Sequence, residues 1–552
     1  MPSMQNHDAL QSETAARQLS RMWIFPLIAC LAWQNRTVAD ESHSAVQRRI
    51  TAICQTLQSA TVQLRSGTDV SSGVIVSKDG LILSVAHGLK SASDKVLVLF
   101  PGGKSCEARP LVIDEKADVA LLTADIASLT NISWSTVPVS AVVQRKVGDV
   151  VLASGFPARE KGALTSVVRL GQILAEDESV LMSSCTLTSG DSGGPLVNSR
   201  GELIGLHRQI GEGLQSNGHI TLTGIRDVLE RSGHWKLLTE RSNLPEGTLL
   251  LAKELTPASH HLDPGHRVTV EIRGSDADGA SGVRSSGTVL NAHQVAAKLS
   301  ELIPYRSLQC RWAGGLTIAA TLKRSDRERD LAILELMDLY EAGNQVEASI
   351  LKSQDSALYA GQIVFAAKSS TEISTAGIIS RVGHDEASLP SRFGAAMQLQ
   401  NGILRITELS PNGSAVLAGF MVGDELRQID ATDVGSLQAV ADLFAARQPG
   451  DWLTIGIRRG AESENLQAQL QHEPGLQFEK TEFLDGRTGR LSLRRSGFKA
   501  VLQHDVVIEP KACGGPLFDR HGHLIAVNIA RRARESTLAI PIGDVLKLAS
   551  GR

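Results

Sequence analysis

The sequence predicts a mainly β chain built from two copies of one barrel-type fold in tandem, with a small α+β unit inserted in the second copy. Three observations carry this reading. From about Thr61 onward, short apolar β-type runs are punctuated by Gly and Asp turns about every 8 to 12 residues, the spacing of a sandwich or barrel. Four segments recur in order. Ser72-Gly73-Val74-Ile75-Val76 returns as Ser286-Gly287-Thr288-Val289-Leu290, and Lys116 to Leu122 (KADVALL) as Glu328 to Leu334 (ERDLAIL). Val147 to Ala153 (VGDVVLA) returns as Ala360 to Ala366 (AGQIVFA), and Gly193-Gly194-Pro195-Leu196 as Gly514-Gly515-Pro516-Leu517. Spacing then locates the insert. Asp118 to Gly148 is 30 residues and Asp330 to Gly361 is 31, but Asp118 to Gly193 is 75 against 184 from Asp330 to Gly514.

Each element follows in chain order. Arg17 and Arg21 precede an apolar run from Met22 to Trp33, and Thr37-Val38-Ala39 follows, so residues 1–39 read as a secretory signal cleaved after Ala39. That run is shorter than the roughly 20 residues a membrane-spanning helix needs. Leu27-Ile28-Ala29-Cys30 resembles a lipobox, which leaves lipidation at Cys30 as the alternative anchoring; either way the protein is expected in the periplasm or cell envelope. The first copy, 40–240, carries β-type runs at Thr61–Leu64, Gly73–Ser77, Leu81–Val85, Val96–Phe100, Val119–Thr123, Asp149–Ser154 and Leu203–Leu206, then a helix at Gly224–Leu237. Residues 241–266, with Thr256 to His266 reading TPASHHLDPGH, form a linker. The second copy occupies 267–389 and 473–552. The insert, 390–472, orders a strand at Gly402–Ile406, a small-residue turn with a short helix, a Gly-Asp turn at Gly423-Asp424, a helix at Leu437–Ala446 and a strand at Trp452–Arg458.

Composition limits the function. At about 150 residues per domain, 552 residues exclude one compact core. A net charge of -3 and only 11 Phe, 6 Trp and 3 Tyr provide neither a basic field nor stacking platforms, which argues against a nucleic-acid reader. The six cysteines are far apart with no CxxC pair, so neither a disulfide scaffold nor a metal site is indicated.

The chemistry concentrates in Gly190-Asp191-Ser192-Gly193-Gly194-Pro195. Acyl transfer needs a serine on a tight loop whose backbone N–H groups point at the developing oxyanion, and flanking glycines let such a loop close. The serine also needs a base. His87, at the end of the run ending Val85-Ala86, can take its proton, and Asp118 can fix the imidazole tautomer. The chain order His87, Asp118, Ser192 is that of chymotrypsin-like enzymes.

SSGVIV, SVAHG, ADVALL and GDSGGPL together resemble the HtrA/Deg family of exported, chymotrypsin-fold serine proteases that carry PDZ domains. The resemblance spans essentially everything from about residue 60. With the repeat, it implies two chymotrypsin-like double β-barrel domains in tandem; the PDZ-like α+β domain is inserted in the second, a departure from the family, whose PDZ domain usually follows a complete protease. It also implies a serine endopeptidase without a cofactor, acting on unfolded or misfolded polypeptides, with a homo-oligomer as a further expectation. Carried over, His87 is the general base, Asp118 its orienter, Ser192 the nucleophile, and Gly190 and Ser192 the oxyanion-hole donors. Thr186 falls at the base of the primary pocket and, being uncharged, fits small or medium apolar side chains. Peptide termini are expected at the insert's carboxylate-binding loop near Phe393-Gly394. In the second copy Ser300 stands at the base position, Asp330 is kept and Cys513 replaces the serine, so that copy is expected to be catalytically dead. The rival reading is a noncatalytic pseudoprotease, a peptide-binding or chaperone-like scaffold.

Overall fold

The computed structural model describes residues 44–551 apart from 90–94, 130–132, 140–144, 159–164, 240–248, 252–254, 256–266, 276–280, 304, 306, 344–356, 370–371, 375 and 473–488. The expected signal, Cys30 and most of the linker lie outside the described residues.

Four closed six-stranded antiparallel barrels form in chain order. The first runs from Thr61–Ser66 to Val119–Ala124 and the second from Val150–Gly155 to Asn217–Thr221. The third runs from Thr269–Ser275 to Leu331–Leu336, and the fourth combines Ile363–Ala366 and Gly377–His384 with three strands between Pro516 and Pro541 and Val501–His504. Strand periodicity explains the closure: along Ser105–Asp114, Cys106 and Ala108 turn into the first barrel while Ser105, Glu107 and Arg109 face out. Each pair of barrels ends in a helix, Leu222–Arg231 and Ile542–Ser550. The first is shorter than the Gly224–Leu237 expectation at its C-terminal end. Gly233 adopts φ +77 and His234 N–H turns back to Leu229 O, so the helix stops and a separate short one follows at Trp235–Thr239.

The two copies share a core. A helix over residues 44–60 sends Ile50, Ile53, Cys54 and Leu57 into one apolar cluster with Val150 and Leu152 of the second barrel and Ile363, Phe365 and Ile378 of the fourth. The Gln47 amide bonds both ways across this seam, donating to Gly361 O (2.8 Å) and accepting from Ile363 N–H (3.0 Å). Beside it, the Asp505 carboxylate accepts from Leu170 N–H (2.6 Å) and Ile378 N–H (2.7 Å), one from each copy.

The insert leaves the fourth barrel after His384 and returns before Val501. It is a sheet of strands Ala395–Gln400, Ile403–Leu409, Glu425–Ile429, Trp452–Arg459 and Glu462–Gln469, with helices Ser414–Leu417 and Leu437–Ala445. At its neck Ser391 pairs with His472 and Arg392 with Gln471. It rests on the third barrel, where Trp452 Nε1 donates to Ser300 O (2.9 Å).

Candidate active site

Strand register brings His87 and Asp118 together. Leu81–Ser84 pairs antiparallel with Val119–Ala124, with Ser84 opposite Ala120, so the chain just past Ser84 meets the chain just before Val119. A 3₁₀ turn at Ala86–Leu89 presents His87. Asp118 adopts φ +59, a left-handed conformation that Asp tolerates. Its Oδ1 accepts from the His87 backbone N–H (2.9 Å), and its Oδ2 lies 2.8 Å from His87 Nδ1. Burial pushes the Asp118 carboxyl up, but the bonds from the His87 ring and N–H, with the charges of His87 and Arg208, outweigh it and hold the group below the usual carboxylate range. Arg208 Nε lies 3.5 Å from Asp118 Oδ2. Nothing in the local sequence marks this arginine.

Ser192 arrives from the second barrel, at the seam between the two. Ser72 N–H, on the first barrel, donates to Ser192 O (2.8 Å). Gly193, at φ +84, leaves no room for a side chain: a Cβ there would lie 2.2 Å from Ser84 Oγ and 2.4 Å from Ser72 O. From Thr188 to Ser192 every carbonyl is occupied. Thr188 O accepts from Asp191 N–H, Ser189 O from Ala158 N–H, Gly190 O from Ser72 Oγ, and Asp191 O from Gly194 N–H. Gly193 N–H donates to His207 O (2.8 Å). Among the described residues, the N–H groups of Gly190 and Ser192 donate to no carbonyl. Such a loop can receive an oxyanion without first turning a peptide.

Beneath the loop, Asp191 meets Arg169 at 3.0 Å, both side chains essentially inaccessible. Asp191 Oδ2 also accepts from Thr188 N–H (2.8 Å), tying the carboxylate to the start of the same loop. A buried ion pair of this kind is costly to break from one side, because the remaining charge is left unsolvated. Arg169 is an isolated charge among apolar neighbours, and nothing in the local sequence marks it. Thr186, on the segment leading to Ser192, is buried.

The second copy repeats the frame and changes the contents. Lys298 pairs with Leu331 across its strands, so Ser300 N–H donates to Asp330 Oδ1 (2.7 Å) much as His87 does to Asp118. There the likeness ends. Ser300 Oγ and the buried Lys298 Nζ both bond Asp330 Oδ2. Cys513 is wholly buried, its N–H donates to Pro510 O (3.0 Å), and burial raises its thiol pKa. His293 and His504 do not approach Asp330: His293 is exposed in a turn, and the buried His504 bonds Asn528 Oδ1 (2.8 Å).

In the insert, the edge strand Ala395–Gln400 and the helix Leu437–Ala445 enclose a groove of about 530 Å³. Gly394, at φ +80, opens it, and its carbonyl accepts from Ser410 N–H. Phe393 turns largely into the core, stacking on Phe444 with ring centres 5.3 Å apart.

Residues 71–206 match the trypsin-like peptidase domain family and residues 391–470 the PDZ domain family. The serine endoprotease DegS of Haemophilus influenzae is 33% identical over 178 residues, which are 30% of this chain and span half of that relative's length (50%). A probable periplasmic serine endoprotease of Halomonas elongata, DegP-like, is 24% identical over 424 residues, 73% of this chain and 79% of that protein. A solved serine endoprotease from Yersinia pestis aligns at 16% identity with a TM-score of 0.29, covering 77% of this chain and 98% of that one.

Proposed function

Because the chain belongs to the HtrA/Deg family of PDZ-containing serine proteases, we propose that it is a serine endopeptidase working through His87, Asp118 and Ser192. Ser192 Oγ attacks the scissile carbonyl carbon while His87 Nε2 takes the hydroxyl proton. Asp118 holds Nδ1–H and stabilises the imidazolium, and the oxyanion accepts from the Gly190 and Ser192 N–H groups. Collapse breaks the C–N bond, the departing amine takes the proton from His87, and water then releases the acyl group by the same steps reversed.

The observation that carries this reading is the hydrogen-bond pattern of the nucleophile loop, in which the carbonyls are tied back and the two oxyanion donors are left over. The substrates are unfolded or misfolded polypeptides cut after small or medium apolar residues, consistent with the uncharged Thr186. Peptide termini add to the open edge strand Ala395–Gln400 beside Phe393-Gly394. The chain works after export, in the periplasm or cell envelope, as a homo-oligomer. The second copy, with Ser300, Asp330 and Cys513, takes no part in the chemistry.

Labelling with an active-site fluorophosphonate tests the proposal. Wild type and Cys513→Ala are expected to label and Ser192→Ala to lose the signal. A wild-type chain that stays unlabelled, even with unfolded protein added, moves the noncatalytic scaffold ahead.

A further inference from the structure

Two segments of the first copy, here called walls, run from the Ser192 site. One is the segment 185–189 leading into the nucleophile loop. The other is 209–217, which continues from His207 and Arg208, the residues that touch Gly193 and Asp118. Asn217 spans them within the first copy, donating from Nδ2 to Cys185 O (2.9 Å) and to Leu214 O (3.1 Å).

A third group reaches the same place from the second copy. Arg534 sits on the turn between the fourth-barrel strands Leu524–Ala533 and Ser536–Pro541, yet its side chain is only 1% exposed because it enters the first copy. Nε donates to Leu187 O (2.8 Å) on one wall. Nη2 donates to Gly213 O (2.7 Å) and to Asn217 Oδ1 (3.2 Å) on the other, with Leu214 O at 3.4 Å. The guanidinium fork is rigid and planar, so carbonyls bonded to its separate nitrogens are held at a fixed separation. The turn is itself braced: Arg531 Nη2 bonds Arg534 O, and Arg531 N–H donates to Ser492 Oγ (3.0 Å). Ser492 Oγ lies 3.6 Å from Cys513 Sγ, so the support for Arg534 runs back to the site where the second copy has lost its nucleophile.

We propose that Arg534 is a positioning residue for catalysis by the first copy, supplied by the degenerate second copy, and that by holding Leu187 and Gly213 at a fixed separation it shapes the path of a polypeptide bound at Ser192. The inference rests on the protease reading above. On this proposal a bound polypeptide runs along residues 185–189 and 209–217, whereas a fluorophosphonate needs little beyond Ser192, His87 and the oxyanion donors. Loss of the brace is therefore felt by peptides and not by the small probe.

The test uses the full chain, with wild type, Arg534→Ala and Arg534→Lys compared for labelling rate and for cleavage of an unfolded protein and a fluorogenic peptide. For Arg534→Ala, kcat/KM on peptide is expected to fall about 10- to 100-fold, mainly through KM, with the labelling rate within about threefold of wild type. Arg534→Lys, which keeps the charge but lacks the fork, is expected to lie between. Wild-type peptide kinetics in Arg534→Ala overturn the proposal. So does an equal fall in labelling and cleavage in a folded variant, since that marks general support and not the path of the polypeptide. If Arg534→Ala does not fold, Arg534→Lys decides: a raised KM supports the brace and a wild-type KM overturns it. A wild-type chain that fails to label sinks the protease reading and this one together, whereas a labelling wild type matched by Arg534→Ala on peptide sinks the brace alone.

Discussion

His207 and His219 lie side by side beneath the Ser192 loop, their Nδ1 atoms 3.0 Å apart, and the carbonyl of His207 is the acceptor that holds Gly193. Burial lowers both pKa values, with the charges of His219 and Arg169 adding to the effect at His207; His219 falls to about 3. Unfolded, each ring titrates near 6.5. Between those values the unfolded chain binds protons that the native chain refuses. Stability from this pair is therefore full above about pH 6.5 and is lost as the pH falls through the window, by up to about 1.4 kcal/mol per pH unit per histidine. Asp505 works in the opposite sense over part of the range, because burial raises its carboxyl to about 6. A variant isolates the histidine contribution. Urea midpoints are expected to drop between about pH 7 and about pH 4, and His219→Gln is expected to show a shallower drop. An unchanged slope would remove His219 as a contributor.

Among the elements, the helix over residues 44–60 depends on a close approach. Gly361 sits at φ +85, and a Cβ there would lie 2.9 Å from the Thr51 Cα, on backbone that cannot swing away. Gly361→Ala is expected to cost about 1–3 kcal/mol in a thermal or denaturant melt, with Ser192 labelling unchanged below the transition. An undiminished melting point would show that the helix has room to retreat. The contrast with the strands shows what a sequence can disclose. The strands at Leu81–Ser84 and Val119–Ala124 were legible as apolar runs between turns and through a repeat whose spacing agrees to one residue, whereas their pairing was not, and His87 and Asp118 were joined by chain order and motif alone. The helix was not legible as a bridge. Its partner Gly361 lies 314 residues away, and complementarity between distant surfaces leaves no local period. Arg169, Arg208 and Arg534 carry no local signal for the same reason: Arg169 is a single charge among apolar neighbours, Arg534 is one of several charges in Arg531-Arg532-Ala533-Arg534-Glu535, and each has a role only through tertiary contact.

At the scale of the whole molecule, the second copy is part of the body of the first. Ile363, Phe365 and Ile378 complete an apolar cluster that Val150, Leu152 and the helix at 44–60 begin. A fragment ending at residue 240 would expose that face to water and also lose Asp505 and Arg534. It is expected to aggregate or to fold with a markedly lower melting point, read by size-exclusion chromatography and calorimetry; a monomeric fragment of full stability would mean that the copies are independent.

The clasp at the neck of the insert, where Ser391 pairs with His472 and Arg392 with Gln471, bears on how such a chain can assemble. Between His384 and Val501 the polypeptide makes a long excursion before the fourth barrel can pair one strand with the other. If that excursion were slack, its closure entropy would fall on the barrel. With the clasp shut, the path between the barrel strands is shortened to its two necks, and the pairing behaves as a more local contact. Folding of the insert ahead of the barrel thus removes much of the topological delay that the insertion would otherwise impose.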